Sequence, residues 1–234
     1  MEEHDQAVAD ARAHLAAKAE GARRPLGPLP ADFAATRAAL HRVAEDVLKP
    51  KRELETGNEI ALGFTPGGFG TPPWDRGVAS VTSGLIRVEG VEIVTVEGDG
   101  ESREPAGEID PAGAAALADW FAFGTVVLAE LIARHQVLEP APIRLWPEHF
   151  DVATELGSEA AEQRANYGAS PGDDGHPEPY LYVGPWDQSV ADADSEGLWD
   201  ATSFVGAEMP YAGIIASDDQ VNAALEFMEA RLLG

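Results

Sequence analysis

The chain has 234 residues, with 41 acidic side chains against 16 Lys and Arg, a formal net charge of −25 at pH 7. It contains no cysteine, which excludes disulfide scaffolds, thiolate catalysis and cysteine-based zinc sites. Such a charge repels phosphate backbones and argues against a nucleic-acid partner, while 44% hydrophobic content is too high for a disordered acidic chain.

In chain order, residues 1–31 predict a helix followed by the Pro/Gly-rich connector Gly21 to Pro30. Leu40, Val43, Ala44 and Val47 then form an apolar stripe at helical spacing. Strands are expected at Ile60 to Phe64, Val78 to Ser83, Leu85 to Val88 and Glu92 to Val96, the last two joined by a turn at Glu89-Gly90. Asp110-Pro111 has the N-cap and first-turn residues of a helix, and the apolar run that follows predicts a central buried helix reaching toward Val137. Asp119, Gly124 and Glu130 interrupt that run, which favours a core helix over a membrane span; together with the acidic, polar N-terminus this predicts a cytoplasmic protein without membrane partners.

Ile143 to Val152 reads as a strand, with Pro147 marking a bulge or an edge position, Glu159 to Ala165 as a short helix, and Tyr180 to Val183, Leu198 to Phe204 and Ala212 to Ala216 as strands. Ser217 to Gln220 has the form of a capping box opening a last helix.

An internal repeat runs beneath these elements. Residues 63–72, GFTPGGFGTP, align without gaps on 168–177, GASPGDDGHP, and Val47-Leu48-Lys49-Pro50, Pro73-Trp74-Asp75 and Asp110 with Ala115-Ala116-Leu117 recur in the same order at drifting offsets. The expected fold is therefore α+β, a tandem duplication of a helix–antiparallel-strands–helix unit with a pseudo-twofold axis. Residues 32–122 and 123–234 form the two halves of one compact domain, after the N-terminal segment 1–31.

The strings Val47-Leu48-Lys49-Pro50-Lys51-Arg52, Leu145-Trp146-Pro147-Glu148-His149-Phe150-Asp151 and Tyr167-Gly168-Ala169-Ser170-Pro171-Gly172-Asp173, with Pro177 to Val183, resemble an uncharacterised bacterial family with two related halves and Gly/Pro-rich loops. The resemblance covers most of residues 33–187. It implies the two-half architecture and no particular activity.

Where one half carries titratable side chains and the other inert ones, a site is expected. The second half has His149 and Asp151, two residues apart and so on one strand face, as candidate catalytic groups. Asp173, Asp174, His176 and Glu178 on the repeat loop can fold over the end of that strand, and Trp146, Tyr180 and Tyr182 supply aromatic walls with polar tips. These residues fit three functions: a small-molecule pocket, a metal-assisted or His/carboxylate acid–base enzyme in the same pocket, or an acidic module that meets a basic protein. A divalent metal is compatible with such a set but not favoured, since the pattern matches no established metal motif. Gly168-Ala169-Ser170-Pro171-Gly172 imitates a nucleophile elbow, but Pro171 has no N–H to offer an oxyanion.

Overall fold

The computed structural model describes residues 25–57, 62–75, 82–192 and 197–233. The expected N-terminal helix and most of the strand expected at Val78 to Ser83 lie outside the described residues; Thr82 and Ser83 are described and are not strand. The fold is α+β: two five-stranded antiparallel meanders share a layer of helices.

A helical segment opens the first unit: α1 (Phe33–Val43), a π-helical turn (Ala44–Leu48) and α2 (Lys49–Thr56). The wide turn precedes Pro50, which has no N–H and would crowd a carbonyl of a regular α-turn. β1 (Gly63–Thr65), β2 (Gly68–Gly70), β3 (Gly84–Glu89), β4 (Glu92–Glu97) and β5 (Gly100–Pro105) follow as a simple meander. α3 (Pro111–Arg134) opens as expected, with the Asp110 carboxylate accepting from the Gly113 N–H at 2.6 Å. The second unit repeats the plan with β6 (Arg144–Trp146), β7 (Asp151–Leu156), β8 (Ala165–Ser170), β9 (Tyr180–Pro185), the short α4 (Ser189–Asp192), β10 (Ala207–Pro210), α5 (Tyr211–Ile215) and α6 (Gln220–Glu229).

Among the described residues a single pair joins the sheets. Leu62 and Leu145 exchange backbone hydrogen bonds of 2.8 and 2.9 Å, which places β1 beside β6 and gives the combined order β5-β4-β3-β2-β1-β6-β7-β8-β9-β10. The pseudo-twofold axis passes through this bridge. Phe69 and Phe150 face each other across it with ring centroids 5.0 Å apart, and both meet Phe121 of α3 edge-on. Gly124, one turn further, lets the helix close on the second sheet: a Cβ there would lie 2.5 Å from the Ala169 Cβ.

α3 is long and apolar enough to cross a membrane, with a mean hydropathy of 1.7 over its most apolar window, but 61% of that window is buried inside the protein. Leu117, Trp120, Phe121, Leu128 and Leu131 are all but inaccessible, so the helix is the core that both sheets and α1 pack against.

The bridge corrects several expectations. It makes β1–β2 the counterpart of β6–β7, whereas the gapless sequence match pairs the β1–β2 turn with the β8–β9 connection. The helix match holds only to within one residue: it pairs Asp110 with Asp218, whereas Asp110 caps α3 and Asp219 caps α6. Residues 165–170, read from sequence as the end of a helix and the start of a loop, form a central strand. The segment 159–164 turns without forming a helix, Leu198 to Phe204 is not a strand, and Ala212 to Ala216 is mostly helical. In the expected capping box Asp219, not Ser217, accepts from the helix N–H of Asn222, and Gln220 instead forms a two-way hydrogen bond with the backbone of Leu26.

Candidate functional site

Strand alternation divides the second sheet cleanly. Leu145, Val152, Tyr167, Leu181 and Val183 point into the core, so their neighbours Trp146, Asp151, Ala153, Asn166 and Tyr182 share the opposite face. On that face lies a cavity of about 340 Å³, within the range of small-molecule sites. Arg144 and Trp146 of β6 line it, with Asp151 and Glu155 of β7, Asn166 of β8 and Tyr182 of β9; His149, Pro142 and Arg164 close its margins.

Asp151 is the centre of this arrangement. It is 4% exposed and pairs across the sheet with Trp146. The Tyr182 hydroxyl donates to Asp151 Oδ2 from two strands away, and the ring crosses above Gly168 to do so. A Cβ at residue 168 would overlap that ring, so the contact depends on glycine there. Asp151 Oδ1 is buried with no hydrogen-bond partner among the described residues. Burial pushes the Asp151 carboxyl above the usual carboxylate range, against the opposing pull of Tyr182 and His149. Burial and the adjacent Asp151 also drive the Tyr182 phenol well above its ordinary value.

The sign of the resulting pH effect is fixed. The folded pKa of Asp151 lies above its unfolded value of about 3.9, so the stability it contributes is complete below that value and is lost as pH rises through the folded pKa. Asp151→Asn, which does not ionise, should therefore gain on the wild type between pH 4 and pH 8, as urea midpoints at the two pH values will report. A gap between the two proteins that does not move with pH would contradict the assignment.

Residues 147–150, expected within one strand from Ile143 to Val152, instead form the turn between β6 and β7, so His149 leaves the strand face it was expected to share with Asp151 and stands at the cavity margin. Phe150 adopts φ +55°, unusual for a bulky residue, and turns its ring into the core while Asp151 takes the opposite face. The ring of His41 on α1 stacks on Phe150 at 4.9 Å and 4°, and His41 Nε2 donates to the Pro147 carbonyl at 2.8 Å. One helical turn earlier, Arg37 Nη1 donates to the Asp173 carbonyl at 2.8 Å. One face of α1 thus holds both loops at this end of the sheet.

Of the residues predicted from sequence, Trp146, His149, Asp151 and Tyr182 come together around the cavity. The other five do not line it. The Asp173 carboxylate turns back to accept from the Gly175 and His176 N–H groups, and the Asp174 and Glu178 side chains are exposed. His176 lies 3.3 Å from Glu208 and packs against Tyr180, beyond the Tyr182 ring. Among the described residues no group of three or more His, Asp and Glu side chains is placed to hold a metal ion.

Sequence reasoning missed Arg144, Glu155, Arg164 and Asn166. Arg144 stands two residues before Trp146 and Glu155 four after Asp151, a strand spacing interrupted by the turn at 147–150, whereas Arg164 and Asn166 enter at the start of β8, whose composition reads as loop. Arg164 ion-pairs Glu155 at 3.0 Å and donates to the carbonyls of Glu139 and Gly157, which fixes that side of the cavity. Asn166 accepts from the Trp186 indole at 3.1 Å.

Register across the bridge shows what the first unit carries at the same positions. Gly63 and Gly70 match Trp146 and Asp151, and the Leu85–Val96 pair matches Gly168–Tyr182. The polar site is confined to the second unit. Comparison with family models, curated proteins and solved structures finds no match to the chain, so the functional reading rests on this geometry.

Proposed function

We propose that the protein binds a small molecule in the cavity on the outer face of the second sheet, with Asp151 as the group that recognises it. The observation that carries this reading is Asp151 Oδ1, a buried carboxyl oxygen without a partner among the described residues, in a residue that lines a cavity. Leaving such a group unsatisfied costs about 1–3 kcal/mol, more when it is charged; a bound hydrogen-bond donor offsets that cost. The confinement of the polar residues to one unit of a repeated fold supports the same conclusion. The burial of α3 supports a protein that works in water, and its placement in the cytoplasm belongs to this proposal.

An acid–base role for Asp151 is favoured by one further observation: burial raises its pKa while His149 stands on the same cavity. Binding comes first in either case. A chemically diverse fragment panel, titrated into ¹⁵N-labelled protein, should shift the backbone amides of residues 144–155, the Asn166 side-chain amide and the Trp146 indole N–H. If no fragment moves them more than it moves the β3–β5 amides, the proposal fails.

A further inference from the structure

The polar groups around the cavity are unequal in kind, and their arrangement narrows the ligand. Among the described residues no acceptor takes the Asn166 amide N–H groups or the Trp146 indole N–H. Arg144 lines the same wall beside Arg52, whose pKa is lowered by burial and by the charge of Arg144. A guanidinium has five N–H donors, so Arg144 can keep a protein partner and still bind a carboxylate. Arg164 is committed to Glu155 and two carbonyls. This part of the site calls for acceptors. Asp151 Oδ1, in contrast, calls for one donor.

Sheet register makes the two ends neighbours. Arg144 pairs with Ala153 and Trp146 with Asp151, so Arg144 and Asp151 are diagonal neighbours on one face, with Trp146 next to both. Diagonal positions in an antiparallel pair lie about 7–8 Å apart. A ligand that reaches from the Arg144 guanidinium to the Asp151 carboxyl carries its two polar groups at opposite ends of a flat or apolar body that rests against the indole, Pro142 and Ala153.

We infer that the cavity takes a small bifunctional organic acid: a carboxylate held at Arg144, an aromatic or similarly flat body on Trp146, and a hydroxyl or amino donor directed to Asp151. This rests on the pocket reading above and goes beyond it in naming the class. The donor requirement excludes simple monocarboxylates, and the acceptor requirement excludes amines and alcohols without an acid group.

Three probes that differ by one group each test it by NMR titration at pH 7: 4-hydroxyphenylacetate, phenylacetate without the hydroxyl, and 4-methylphenol without the carboxylate. The expected result is that 4-hydroxyphenylacetate moves the Trp146 indole N–H with an affinity at least about tenfold above either control, and that Arg144→Gln reduces it to the level of 4-methylphenol. Equal affinity of the three, tighter binding of either control, or no binding by any of them overturns the inference. The fragment panel keeps the two readings apart: cavity shifts produced only by cationic or neutral fragments overturn the acid class and leave the pocket standing, whereas no shift from any fragment removes both.

Discussion

Phe150→Ala should lower stability by about 3–5 kcal/mol, the range for removing a fully buried phenylalanine, as read from urea unfolding. Phe150 is 1% exposed and touches Phe69 and Phe121 edge-on and His41 face-on, so its loss opens a hole at the pseudo-twofold axis. Relief of the positive φ is unavailable to alanine, and even a glycine there recovers only about 1–2 kcal/mol. The same substitution at Phe69, the counterpart across the axis, should cost a similar amount. The two variants should differ at the cavity. Phe150→Ala frees the loop that carries His149 and displaces the His149 and Trp146 resonances, while Phe69→Ala leaves them in place. A cost under about 1 kcal/mol for Phe150→Ala would refute this account of the axis.

The second large effect is expected at Gly168. Its φ lies outside the left-handed region, so alanine suits the backbone, and the penalty comes from the Tyr182 ring above it. Gly168→Ala should push that ring aside, remove the Tyr182 donor from Asp151 and leave both carboxyl oxygens buried and unsatisfied. The expected loss is about 2 kcal/mol or more, with the fragment-binding response abolished. Truncating the ring as well, in Gly168→Ala/Tyr182→Ala, should make the pair less costly than the sum of the single changes, because the overlap is gone. Strict additivity would mean that the ring does not depend on the glycine.

Much of the fold follows from local pattern. The stripe Leu40, Val43, Ala44 marks α1, the Asp110-Pro111 cap marks α3, and alternation marks β3 and β4, since each signal lies within a few residues of the element it specifies. β8 escaped because Ala165 to Ser170 is small, polar and glycine-bearing, a composition that reads as loop until Tyr182 is seen lying across Gly168. β5 escaped because Gly100–Pro105 is exposed along its length, with no apolar face to betray it. For the site, His149, Asp151 and Trp146 were visible as neighbours in sequence. Its remainder depends on strand order and register, which place Asn166 opposite Glu155 and bring the Tyr182 hydroxyl to Asp151 from two strands away. The acidic loop 173–178 misled because its strongest carboxylate contact is with its own backbone, a turn that local sequence can stabilise without any partner.

The grip of α1 on both loops of the second sheet has a consequence for how this molecule can be divided. Arg37 and His41 belong to the first unit, yet the carbonyls they hold, at Asp173 and Pro147, border the site of the second. A polypeptide beginning at α3 would contain every residue that lines the cavity and lack the clasp that shapes its rim. The repeat is therefore divided in labour but not in construction: one copy keeps the chemistry, and the other supplies the jig that holds it to size.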